Sequence, residues 1–180
     1  MRSAVFVLLL ALAACVTPAP PPVQHVTHLA AADAATTLIV GQSIDMITQD
    51  PIASAAGEDP LVLMSLRHAD GRTMAFNENN HAPDHLRAQA AGGPLAQIMG
   101  LFGDEAPKLY GARSEENHGA PFICGPQGPA SIGFYEGADG AVKMVGLKQE
   151  IEFETLRDGS QAALPYSPDL VCARLTFRRS

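Results

Sequence analysis

The sequence predicts an α+β fold: a largely antiparallel β-sheet in the C-terminal two-thirds, with N-terminal helices packed on it. Three observations carry that expectation. Ala-Asp-Gly occurs twice, at 69–71 and 138–140, each time between two strand-like runs, and Asp-Gly is a strong hairpin signal because Gly enters positive φ without a Cβ penalty. Residues 170–178 alternate, with Val171, Ala173, Leu175 and Phe177 on one face and Cys172, Arg174, Thr176 and Arg178 on the other, which is the period of a strand. Leu95, Ile98, Met99 and Phe102 fall at i, i+3, i+4 and i+7, the stripe of an amphipathic helix.

Taken in order, the chain opens with Arg2, an apolar run over 4–12, and the small residues Ala13 and Ala14. This is the three-part layout of a secretory signal. The run is shorter than the roughly 20 residues that span a bilayer. Leu12-Ala13-Ala14-Cys15 resembles the lipobox of bacterial lipoproteins. That resemblance implies a signal peptide over 1–14, diacylglycerol on the Cys15 sulfur and an acylated (palmitate-type) new amine. Val16, where Asp would retain such a protein at the inner membrane, implies outer-membrane localisation facing the periplasm. Ordinary cleavage after Ala11-Leu12-Ala13 is the alternative. Residues 15–24 then form a tether containing Pro18, Pro20, Pro21 and Pro22, which favours extended geometry. Residues 25–180 form a single domain.

Composition narrows the partners. The formal charge is −7 over 180 residues, with 19 acidic against 12 basic side chains. An acidic surface repels nucleic acid, so none is expected. There is no Trp, so the core is built from Leu, Ile, Val, Met and a few Phe.

Within the domain, Val40, Ile44 and Ile47 fit helical spacing, and an Ala-rich stretch precedes them, so 25–50 is expected to be helical and to end at Pro51. Leu61–Leu66 and Arg72–Phe76 flank the first Asp-Gly as a hairpin; the nearly unbroken apolar run 61–66 is expected to be covered on both faces. Pro83 suits a first helical position, with Asn80 or His81 as cap, and Gly92-Gly93-Pro94 separates that helix from the Leu95–Phe102 stripe. Beyond Pro107 the pattern is β: Phe122-Ile123-Cys124 as a short strand, 131–135 and 142–147 as the second hairpin, and 148–156 alternating Ile151 and Phe153 with Glu150, Glu152 and Glu154. If 148–156 and 170–178 are antiparallel neighbours, those glutamates face Arg174 and Arg178, worth roughly 0.2–1 kcal/mol per pair.

Few residues suggest chemistry. With lipid on Cys15, Cys124 and Cys172 remain as a pair in an oxidising compartment, and a disulfide is expected. His81 and His85 are four apart, the spacing with which a helix presents two imidazoles to a metal, and His25, His28 and His118 could add ligands; Pro83 and the absence of His-Glu-x-x-His favour exposed or cap-bonded histidines. No nucleophile elbow and no Gly-Lys-Ser/Thr phosphate loop occurs, so neither a catalytic residue nor a cofactor is assigned. A small lipidated, disulfide-tied, β-rich domain is also similar in outline to the periplasmic lysozyme-inhibitor lipoproteins, whose opening strand Phe122-Ile123-Cys124 resembles; their cleft-inserting Ser-Gly loop has no counterpart here. The function expected is a cell-envelope lipoprotein that binds or scaffolds an envelope protein or ligand without catalysis. An inhibitor or ligand-binding module is the alternative, and a metal-dependent envelope enzyme the third.

Overall fold

The computed structural model describes residues 21–50, 62–78, 89–149, 153–155, 157–158, 161–163 and 167–180. Cys15, His81, His85, Glu150 and Glu152 lie outside them, as does most of the helix expected near Pro83.

The chain forms a closed antiparallel barrel, not helices on an open sheet. Its wall is built from β1 (Gln24–Ala31), β2 (Ser43–Gln49), β3 (Leu63–His68), β4 (Thr73–Glu78), β5 (Lys108–Ala112), β6 (Ser131–Glu136), β7 (Ala141–Leu147) and β10 (Val171–Arg179). Neighbours follow chain order, and β10 closes the ring between β7 and β1. A separate two-stranded hairpin, β8 (Phe153–Thr155) with β9 (Gln161–Ala163), interrupts the path from β7 to β10. Closure leaves the eight-stranded wall without an unpaired edge. Among the described residues two short helices are added, α1 (Ala34–Val40) and α2 (Pro94–Met99).

The expected helix over 25–50 is thereby corrected. Only 34–40 is helical, capped by Asp33, whose carboxylate accepts the Thr36 N–H at 2.7 Å, and ended by Gly41 at φ 75°. Beyond that glycine the chain is a strand. Ile44 and Met46 are buried two residues apart, so the apparent 3.6 period through Val40, Ile44 and Ile47 came from two elements read as one. β1 is recruited as a strand by its partners: it pairs with β2 from Gln24↔Gln49 to Ala30↔Ser43 and with β10 from Leu29↔Arg179 to Ala31↔Phe177.

Both Asp-Gly hairpins form as expected, joining β3 to β4 and β6 to β7. Coverage of both faces at 61–66 does not hold for β3: Met64 and Leu66 are buried while Leu63 and Ser65 are intermediate. The alternating last strand places Ala173, Leu175 and Phe177 inside. Its neighbours, however, are β7 and β1, so the expected pairing of 148–156 with 170–178 is overturned: Arg174 stands opposite Val145 and Arg178 opposite Ala141, while Glu154 pairs with Ala162 in the separate hairpin. The Arg174 guanidinium donates to the Ile98 carbonyl at the end of α2.

Two apolar layers result. The barrel interior is filled from every wall strand, with Leu29, Met64, Phe76, Ile132, Met144 and Phe177 among its members. Outside, α2 lays Leu95, Ile98 and Met99 over Val145 and Leu147. That contact needs a glycine: a Cβ at Gly133 would stand 2.6 Å from Leu95 Cδ1 and 2.8 Å from Val145 Cγ1.

Candidate functional site

The two ends of the barrel differ. At one end β1, β3, β5 and β7 finish, and three features cover it. α1 places Val40 in the interior cluster, while the Thr36 hydroxyl oxygen accepts the Thr176 N–H at 2.9 Å. The β5–β6 connection crosses over, with the Ala75 N–H donating to Asn117 Oδ1 at 2.9 Å and Phe122 and Ile123 buried against the interior. Phe122 stacks at 5.2 Å on His68 and lies 5.6 Å below the Arg72 guanidinium. The Cys124–Cys172 disulfide then ties that connection to β10.

The disulfide is the one expected, reached by an unexpected route. Phe122-Ile123-Cys124 is an irregular segment leading into a 3₁₀ turn rather than a strand, and Cys124 stands at φ 64°. In β10 the register slips between Val171 and Ala173. Such a bulge re-aims a side chain, and here it swings Cys172 off the face it would share with Arg174. Both sulfurs crowd Gly146, where a Cβ would meet Cys124 Sγ at 2.6 Å and Cys172 Sγ at 3.3 Å.

Among the described residues, the opposite end carries no such cover. There a cavity of about 540 Å³ is bounded by β1, β2, β5, β6 and β10. Its floor is apolar: Met46, Phe134 and the Tyr110 ring, the last two edge to face at 6.3 Å. Its rim is charged and hydroxylated, with His25, Thr27, Lys108, Glu136 and Arg179. Antiparallel register sets these groups side by side, His25 opposite Thr48, Thr27 opposite Met46 and Lys108 opposite Phe134. Arg179 donates to Thr27 Oγ1 at 3.2 Å across the β1–β10 seam and, past β7, to Glu136 Oε1 of β6 at 2.9 Å. His25 is 2.9 Å from Asp50.

Beside the floor sits Glu78, only 6 % exposed. A buried carboxylate is costly unless paired, and two donors meet it: Lys108 Nζ at 3.3 Å and the Tyr110 hydroxyl at 3.4 Å. Burial, and then the Glu78 charge, push the Tyr110 phenol above its ordinary value, so it remains a neutral donor. On the rim, the Tyr135 hydroxyl donates to Glu105 at 2.7 Å. That bond raises the Tyr135 phenol, and the Glu105 carboxyl is lowered first by the Phe102 N–H and then by Tyr135.

The sequence-derived candidates scatter. His25 is on the rim, His28 is paired with Asp45 on the outer wall at 3.0 Å, and His118 bridges backbone to backbone with Thr73. Among the described residues, no three His, Cys, Asp or Glu side chains converge as a metal site. Sequence reasoning missed Glu78, Lys108, Tyr110 and Arg179. One signal for Glu78 was present: Met74, Phe76 and Glu78 occupy one face of a strand, so an acid continues a core face.

No protein-family model matches this chain, and neither a curated protein nor a solved structure is significantly similar to it.

Proposed function

We propose that the protein is an outer-membrane lipoprotein, anchored through lipid on Cys15, that binds a small amphipathic ligand in the open mouth of its barrel without catalysis. One observation carries the reading: among the described residues, an eight-stranded barrel covered at one end holds at the other a cavity of about 540 Å³ with an apolar floor and a polar rim. Ligand sites of roughly 300–1,000 Å³ share that arrangement, apolar walls supplying affinity and a few polar groups fixing orientation. Met46, Phe134 and Tyr110 would take the apolar part of the ligand, and Lys108, Arg179 and Glu136 its polar head. A rim bearing both signs suits a neutral or zwitterionic head better than a strongly charged one.

A dansylated fatty acid and a single-chain zwitterionic phospholipid serve as probes. The expected result is a saturable rise in dansyl emission, competed by the phospholipid and lost in Ala106→Trp, which fills the mouth from an exposed lining position. Equal emission from the two proteins would remove the cavity as the binding site. Intact-mass measurement of the protein extracted from membranes should show acyl groups on a chain beginning at Cys15; an unmodified chain would refute the anchoring half of the proposal.

A further inference from the structure

We infer that the open mouth of the barrel faces the anchoring bilayer, so that the ligand it takes is an amphiphile drawn from, or handed to, that membrane. This rests on the lipid-anchoring reading of Cys15 and adds an orientation that anchoring alone does not fix.

Three features converge. The first is where the chain enters. β1 begins at the mouth, and the Asp50 N–H donates to the Val23 carbonyl at 3.0 Å, so the polypeptide is fixed to the rim up to Val23. His25 and Thr27, the first inward residues of that strand, are themselves cavity lining. The tether therefore leaves from the lip of the cavity.

The second is length. Residues 15–23 span at most about 30 Å when fully extended. The wall, judged from the nine-residue β10, is about 23 Å tall at a rise of about 3.3 Å per residue and a tilt of about 40°. Inverting the barrel would require the tether to run beside nearly the whole wall at close to full stretch. With the mouth towards the membrane no such extension is needed.

The third is the rim's outer surface. Among the described residues the large exposed apolar side chains are Val23, Val26, Leu38, Ile39 and Phe102. Val26 on β1 and Val23 just before it flank the mouth. Phe102, 81 % exposed, heads the turn that Glu105 ties to Tyr135, four residues before the lining residue Ala106. Apolar side chains around a charged rim suit the headgroup boundary of a bilayer. Leu38 and Ile39 lie on α1 at the sealed end, the competing surface.

The absence of Trp from the chain makes the test direct. Phe102→Trp and Leu38→Trp, both at exposed positions, each give a full-length acylated protein with one tryptophan. Each is reconstituted on phosphatidylethanolamine vesicles with or without brominated acyl chains. The expected result is a blue shift and bromine quenching for F102W, and neither for L38W. Quenching of L38W instead, or of neither variant in protein whose mass shows acylation, overturns the orientation while leaving the anchor intact. A mass without acyl groups overturns the anchor, and this inference with it.

Discussion

Removing the disulfide tests the sealed end of the barrel. In Cys124→Ala/Cys172→Ala the cross-link between residues 48 apart is lost. The chain-entropy relation for a loop of that size gives about 14 cal/mol/K, or about 4 kcal/mol at 25 °C, by which the unfolded state becomes more favourable. Domains of this kind are stable by only about 5–15 kcal/mol, so the loss is a large share of the total. At about 2–4 °C per kcal/mol, Tm should fall by about 8–16 °C, followed by far-ultraviolet circular dichroism. Because the cross-link acts on the unfolded chain, the urea m-value should rise as that chain expands. Phe122 and Ile123, held over the interior beside Cys124, should lose hydrogen-exchange protection before the strands do. An unchanged Tm with an unchanged m-value would refute the reasoning.

Three further outcomes are expected. Gly133→Ala places a methyl against Leu95 and Val145 and should cost about 1–3 kcal/mol in urea unfolding; a neutral result would mean that α2 does not pack as described. The phenolate absorbance attributable to Tyr110, taken as wild type minus Tyr110→Phe, should develop above the ordinary phenol value near 10, because burial and Glu78 hold the proton on. The stability tied to this raised folded value is complete below the unfolded value and is lost as pH rises, so Y110F should flatten the alkaline limb of stability; ordinary titration would contradict the buried Glu78 pairing. Asp70 is lowered from 3.8 to about 2, chiefly by the Arg72 N–H at 3.0 Å. Its contribution is present above the unfolded value and fades as pH falls from about 4 towards 2. Asp70→Asn should therefore reduce the acid dependence of stability in that window, and an ordinary carboxyl shift for Asp70 by NMR would count against it.

Residues that act through their nearest neighbours in sequence were legible. The turns at Asp70-Gly71 and Asp139-Gly140, the alternation of Ala173, Leu175 and Phe177, and three of the four stripe residues, Leu95, Ile98 and Met99, were readable, because turn geometry and face periodicity are written within a few residues; the fourth, Phe102, lies past the helix end at Gly100 and is exposed. The expected Cys124–Cys172 pairing forms. The candidate site was barely legible. Lys108 and Tyr110 meet Glu78 from 30 and 32 residues away, and Arg179 meets Thr27 from the far end of the chain.

By itself, then, the sequence determined where the chain turns and which face of the last strand is apolar. Tertiary structure alone decided that the sheet closes. The pairing of β1 with β10 joins residues about 150 apart, and backbone hydrogen bonds carry no side-chain code to announce it. That closure turned the region expected to be helix into wall, directed β10 to β7 and β1 instead of the glutamate-bearing segment, and created a mouth. A cavity is bounded by residues that share a place rather than a stretch of sequence, so it exists only once the ring is shut.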